Sequence, residues 1–225
     1  MNKFWFAYAV PEKRILTFEK NFLLKNYHQT KKAEAGCDEA GRGCLAGPVY
    51  AAAVIIPPDF FHPLLNDSKQ VTAENRIILR KFIETNALSY SVACVDHEEI
   101  DRINILKASF KAMHLALDKL RKRPGLLLID GNRFTPYRRT PHECIIKGDG
   151  IYASIAAASI LAKTYRDEYM YSLHHEFPDY KWNTNKGYGT EEHRKAIDQF
   201  GLTPYHRRSF QCGTVQLSLQ LAELS

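Results

Sequence analysis

The sequence predicts an α/β protein with a mixed sheet flanked by helices, and three observations carry that reading. Two short apolar segments, 34–39 and 48–56, flank a glycine-rich turn, Gly41-Arg-Gly-Cys-Leu-Ala-Gly47, as consecutive strands do. Helix-period and strand-period segments then alternate, which argues helices layered on a sheet. Two apolar runs stop on acids, Asp38-Glu39 and Asp130, as strands of an open α/β sheet do where their ends face a crevice.

Each element has its own justification. Residues 1–33 carry scattered aromatics and the basic stretch Lys25 to Lys32, and read as a loosely attached leader. Thr72 to Thr85 reads as a helix, and Leu88 to Val95 as a strand with apolar residues on alternate positions. Ile103, Leu106, Phe110, Met113, Leu117 and Leu120 recur at helical spacing and predict one amphipathic helix ended by Pro124-Gly125. Leu126 to Ile129 and His142 to Ile146 are short strands. Ile151 to Glu176 is a long helix whose first half is small or apolar, the mark of a buried packing face. Thr190 to Phe200 is a capped helix closed by Gly201. The tail Thr214 to Leu224 reads as one or two more amphipathic turns.

At 225 residues, with 45% hydrophobic and 25% charged residues, the composition is that of a globular chain of about one domain. The longest apolar run, Val49 to Ile56, is too short to span a bilayer. The net charge of +6 permits a polyanionic partner. Five cysteines, odd in number and without a Cys-x-x-Cys pair, argue against a disulfide framework or a zinc knuckle. Too few apolar residues precede Ala7-Tyr-Ala9 for a signal peptide. A reducing, cytoplasmic setting is expected.

The acids carry the chemistry. Asp38 and Glu39 are neighbours, so a regular strand points them to opposite faces; for both to serve one site the strand has to kink or end there. Asp130 also suits the start of a turn, and Asp149, between two glycines at the opening of the long helix, also suits an N-cap. Together, carboxylates at the ends of neighbouring elements repel unless a cation lies between them, and oxygen-only ligands suit Mg²⁺ or Mn²⁺. Two phosphate-loop lookalikes fail. Gly36-x4-Gly41 is followed by Arg42-Gly43 rather than Lys-Ser/Thr, and Gly41-x-Gly43-x-x-x-Gly47 misses the dinucleotide spacing and leads into a strand.

Cys37-Asp-Glu-Ala-Gly-Arg-Gly-Cys-Leu-Ala-Gly-Pro-Val49 resembles the opening motif of bacterial ribonuclease HII, the type 2 ribonuclease H. Leu65-Asn-Asp-Ser-Lys69, Asp130-Gly-Asn132, Lys147-Gly-Asp149, Ile155 to Lys163, Arg166-Asp167, Lys186-Gly-Tyr-Gly-Thr190 and His206-Arg-Arg-Ser-Phe210 follow in that family's order, across about residues 34–212. The intact Gly-Arg-Gly resembles HII rather than HIII.

The resemblance implies a ribonuclease H-like fold with a small helical C-terminal part, divided as leader 1–33, catalytic core 34–180 and C-terminal part 181–225. It implies an endonuclease that cuts the RNA strand of RNA/DNA hybrids. It also implies nicking of duplex DNA on the 5′ side of a single ribonucleotide, leaving 3′-hydroxyl and 5′-phosphate ends, in ribonucleotide removal. Asp38, Glu39, Asp130 and Asp149 would be the catalytic, metal-binding acids, holding two Mg²⁺ or Mn²⁺ ions. Gly41, Arg42 and Gly43 would contact the ribose 2′-hydroxyl, largely through backbone. Tyr188 would hydrogen-bond it and stack on the next sugar. Ser68, Lys69 and Lys163 would contact phosphate.

Departures from the family pattern are Cys37, Cys44 in place of proline, and Gly150-Ile151 in place of Ala-Lys, which removes one basic side chain. No sliding-clamp motif is visible at the C-terminus, and a monomer is expected. The cysteines read as chemically idle, and Arg133, Arg138, Arg139 and His206-Arg207-Arg208 read equally as solvated basic surface. The competing readings are a catalytically weak hybrid-binding module and a related carboxylate–metal DNA nuclease.

Overall fold

The computed structural model describes residues 24–29, 32–66 and 71–211. Its centre is β1 (Glu34–Ala40), antiparallel to β2 (Val49–Ile55), which is antiparallel to β3 (Ser89–Val95). On its other side β1 runs parallel to β4 (Leu126–Asp130), and β4 parallel to β5 (His142–Ile145). The resulting order, β3-β2-β1-β4-β5, is the mixed sheet that the alternating pattern predicts.

The helices are α1 (Ala73–Asn86), α2 (His97–Ile103), α3 (Ile105–Asp118), α4 (Ala153–Glu176), α5 (Trp182–Asn185) and α6 (Glu191–Phe200). Successive β2 side chains serve opposite faces. Ala51, Ala53 and Ile55 pack with Ala112, Met113 and Ala116 of α3. Ala52 and Val54 pack with Leu79 and Ile83 of α1 and with Ala157, Ile160 and Leu161 of α4. The small residues let α4 lie close to the sheet: a Cβ on Gly36 would stand 2.2 Å from the Ser154 carbonyl carbon. A third apolar cluster joins Leu45 and Ala46, Met170 and Leu173 at the end of α4, and Trp182, Ala196 and Ile197 of the C-terminal part.

Two expectations are corrected. The amphipathic segment from Ile103 to Leu120 is two helices. Asn104 takes a left-handed φ of 68°, ends α2, and caps α3 by accepting from the Lys107 amide at 3.1 Å. The periodicity survives the break because apolar residues on both sides face the same core. Asp149 does not cap the long helix. It lies in a 3₁₀ turn, Gly148–Gly150, and Tyr152 is the N-cap of α4. Helices α2 and α5, too short or too polar to show periodicity, are not legible in the sequence. Of the leader, Lys25 pairs with the start of α4: its amide donates to the Ile151 carbonyl at 2.8 Å, and its carbonyl accepts from the Ala153 amide at 2.9 Å. Among the described residues no helix is long and apolar enough to cross a membrane.

Candidate active site

Asp38, Glu39 and Asp130 lie within reach of one another's charges where two parallel strands part, and Asp149 sits in the turn that follows β5. Pairing of β1 with β4 ends at Cys37↔Ile129, while β1 stays in register with β2 as far as Ala40. Pairing with β2 continues through Asp38 and Glu39, and beyond the last β1–β4 pair both carboxyls feel the charge of Asp130. The Asp38 carboxylate folds back to accept from the Glu39 amide at 2.7 Å and also bonds Ser159 of α4. Asp130 accepts from the Gly148 amide at 2.7 Å, which fastens the 3₁₀ turn carrying Asp149 to the end of β4. Asp38 and Asp149 are buried.

Burying like charges has a cost, and it appears in their acidity. Desolvation, then the charges of Glu39 and Asp130, push the Asp38 carboxyl well above the usual carboxylate range. Burial also raises Glu39, against the lowering effect of Arg42, whose Nη1 lies 3.1 Å from Glu39 Oε1. Among the described residues no three His, Cys, Asp or Glu groups stand as a ready-made metal cage. The donor set is nonetheless all oxygen, and burial and neighbouring charge hold Asp38 and Glu39 above the usual carboxylate range, which suits a hard divalent cation. Burial raises the Cys37 and Cys44 thiols, so neither offers a thiolate at neutral pH.

Immediately beyond β1, the glycine-rich turn lies between two C-terminal segments. On one side Leu45 donates to the Gly187 carbonyl at 2.7 Å and Cys44 bridges to Tyr188. On the other, Arg207 donates to the Leu45 carbonyl at 2.8 Å and Gly47 to that of Tyr205 at 2.9 Å. Gly41, Arg42, Gly43 and Tyr188, distant in sequence, are therefore brought together at the edge of the acid cleft. Tyr188 is half-exposed, with its hydroxyl near the Cys44 thiol. Gly41 has φ +96°, and a Cβ there would lie 2.0 Å from Arg166 Nε.

Two buried arginines secure this arrangement. Arg166 Nε, Nη1 and Nη2 donate to the carbonyls of Pro48 (3.0 Å), Lys186 (2.8 Å) and Ala46 (3.1 Å). Arg207 Nε, Nη1 and Nη2 donate to those of Gly47 (2.9 Å), Arg42 (2.8 Å) and Gly41 (2.7 Å). The reading of His206-Arg207-Arg208 as solvated surface is thus corrected: His206 and Arg207 are buried, and Arg208 alone of the three is exposed. His206 belongs to a buried network in which Trp182 Nε1 donates to His193 Nε2 at 3.0 Å, and His193 Nε2 lies 3.1 Å from His206 Nε2. The Tyr188 carbonyl stands 2.9 Å from His193 Nδ1. Nothing in the residue types distinguishes these inward cations and imidazoles from surface ones; only tertiary pairing does.

Lys163 of α4 faces Asp167 at 3.0 Å, and Arg76 approaches the same acid at 3.9 Å. With Lys186 they form a basic rim beside the Tyr188 turn. Arg138 is exposed and paired with Asp118 at 2.6 Å. Ser68 and Lys69 lie outside the described residues, as does the tail from Cys212 on which the clamp expectation falls.

Known proteins share this arrangement of sequence and fold. The ribonuclease HII family model matches residues 35–212. A ribonuclease HII of Bacteroides thetaiotaomicron is 62% identical over 198 residues, covering 88% of this chain and 99% of that protein. Among solved structures, the ribonuclease H2 of Pyrococcus horikoshii superposes with a TM-score of 0.69 at 25% identity, over 83% of this chain and 97% of that one. Bst-RNase HIII in complex with Mn²⁺ gives a TM-score of 0.65 at 19% identity, over 86% and 71%.

Proposed function

Because the chain belongs to the ribonuclease HII family, and so is a ribonuclease H acting on RNA/DNA hybrids, we propose that it is an endonuclease that also nicks duplex DNA on the 5′ side of a single embedded ribonucleotide. The products would carry 3′-hydroxyl and 5′-phosphate ends, and the role would be ribonucleotide removal from DNA. One observation carries this reading: the acid cleft and the glycine turn with Tyr188 adjoin, Arg42 of the turn reaching Glu39 of the cleft at 3.1 Å. A ribose-sensing surface and a phosphodiester-cutting surface then face adjacent parts of one nucleotide.

In this reading Asp38, Glu39, Asp130 and Asp149 hold two Mg²⁺ or Mn²⁺ ions; Bst-RNase HIII, of the same fold, takes up Mn²⁺. When bound, such ions supply Lewis acidity to the attacking water and the leaving 3′-oxygen of an in-line displacement. The chain's own residues do the rest. Backbone at Gly41, Arg42 and Gly43 approaches the 2′-hydroxyl, the group that separates RNA from DNA. Tyr188 donates to that hydroxyl and covers the next sugar. Lys163, with Ser68 and Lys69, holds phosphates. The C-terminal part, 181–225, supplies Tyr188 and the Arg207 support, so the core 34–180 is incomplete without it.

The test is incubation with a duplex bearing one ribonucleotide, in Mg²⁺ or Mn²⁺, with product ends mapped. One nick 5′ of the ribonucleotide and an intact all-DNA control are expected. Comparable cutting of the all-DNA duplex would overturn the reading.

A further inference from the structure

The three guanidinium bonds of Arg207 do more than tie the chain together, because of what a planar peptide requires. In a trans peptide unit the carbonyl of one residue and the amide of the next point in opposite directions. The described residues contain no cis peptide. Arg207 pulls the carbonyls of Gly41 and Arg42 inward, at 2.7 and 2.8 Å. The amides of the following residues, Arg42 and Gly43, must then face away from the protein interior. Both residues are exposed, and neither amide donates to a partner among the described residues. A Cβ added to Gly43 would meet nothing within 4 Å, so the space in front of the turn is open.

We propose that Arg207 is a positioning residue for substrate recognition: by holding the Gly41 and Arg42 carbonyls it presents the Arg42 and Gly43 amides as a fixed pair of donors for the ribose 2′-hydroxyl. The inference rests on the proposed ribose-dependent activity and deepens it. Arg207 arrives from the C-terminal part, 165 residues after Arg42, and is wholly buried. Burial holds its pKa down to about 10, which leaves it cationic at neutral pH with all its donors in place. An arginine is needed because its rigid planar fork spans three carbonyls at once, whereas a lysine ammonium on a flexible stem cannot hold the same geometry. Arg166 completes the frame from α4, joining Ala46 and Pro48 of the turn segment to Lys186, two residues before Tyr188. The two amides and the tyrosine are thus set against each other by buried cations that never touch substrate.

The experiment compares Arg207→Lys with its parent in an Asp130→Asn background, where binding is read without cutting. Affinities are measured for a duplex with one ribonucleotide and for the all-DNA duplex of the same sequence. The parent is expected to favour the ribonucleotide duplex, and Arg207→Lys to lose most of that preference, by about tenfold, with all-DNA affinity unchanged. A merely structural role would weaken both duplexes alike. A preference retained in full by Arg207→Lys beside a discriminating parent overturns the role of Arg207 alone. A parent that binds both duplexes equally overturns the ribose reading beneath it. Should Arg207→Lys fail to fold, amide hydrogen exchange in the parent decides. The Arg42 and Gly43 amides are expected to exchange freely without substrate and to slow with the ribonucleotide duplex, but not with DNA. If either amide fails to slow, the proposal falls.

Discussion

The two halves of the site are built on opposite electrostatic principles. In the acid cleft, carboxylates of one sign are crowded where strands part, and Asp38 and Glu39 resist ionisation. In the glycine turn and its C-terminal support, buried cations are matched to carbonyls one by one. In the first half burial and like charge press on Asp38 and Glu39, which is the condition for taking up a cation. In the second every guanidinium nitrogen of Arg166 and Arg207 donates to a backbone carbonyl, which is the condition for rigidity. The proposed activity, which turns on a single hydroxyl, calls for both: a reactive half pressed by like charge and a recognition half that does not yield.

The largest effect that separates the halves is expected from Asp38→Asn. Removing one negative charge at nearly constant volume is expected to lower turnover by at least about 10²–10³-fold, the scale of losing one strong electrostatic contact to the reacting centre. Duplex affinity should be retained. In metal-free buffer the same change relieves repulsion, so the variant is expected to melt at a higher temperature than the parent at pH 7. Near-normal turnover would place the metal site elsewhere; an unchanged or lower melting temperature would contradict the pressure of like charge.

A smaller effect is expected in the recognition half. Tyr188→Phe removes one hydrogen bond and keeps the ring, which corresponds to about 0.5–1.5 kcal/mol, or about threefold to tenfold in kcat/KM. Tyr188→Ala removes the covering surface as well and should cost more on a single-ribonucleotide duplex than on a continuous hybrid, where other riboses share the contacts. Equal activity of Tyr188→Ala and the parent on the single-ribonucleotide duplex would reduce Tyr188 to a packing residue. The backbone bridge to Tyr188 places Cys44 beside the site, although its raised pKa leaves it no thiolate chemistry.

The same division explains what the sequence makes legible. Strands that end on acids, the Ala-rich helix that approaches Gly36, and the sheet's mixed character are local or periodic signals, and they read correctly. The break at Asn104 does not read, because the apolar rhythm continues across a residue whose positive φ serves as a cap. Nor does the burial of Arg166, Arg207, His193 and His206. A charged or imidazole side chain announces a surface in sequence, and only the carbonyls of distant turns make an interior place for it. The buried frame behind the proposed recognition surface is thus the part of the site least visible before folding.

The smallest expected effect is a pH dependence in which the two halves oppose each other. His206 Nδ1 accepts from the Thr203 amide at 2.9 Å, and His193 Nε2 accepts from Trp182, so both imidazoles are neutral in the folded protein, as the hydrogen-bond network assigns them. Burial lowers the His206 pKa to about 3 and lowers that of His193. An unfolded histidine titrates near 6.5, so on acidification below about 6.5 the unfolded chain takes up protons that the folded one refuses. Stability is then lost at about 1.4 kcal/mol per pH unit for each such proton. Asp38 and Glu39 act in the other direction. Their raised pKa values let the folded state hold protons that the unfolded state has released, so their contribution grows as pH falls toward the ordinary carboxylate range. Thermal melts of the metal-free protein between pH 7 and 4.5 should therefore show a shallow acid slope in the parent. His206→Asn, which removes one of the refused protons, should flatten it further, and Asp38→Asn, which removes the opposing carboxyl, should steepen it. If His206→Asn runs parallel to the parent across that range, His206 is protonated in the folded state, and the recognition half is not the frame described by its hydrogen bonds.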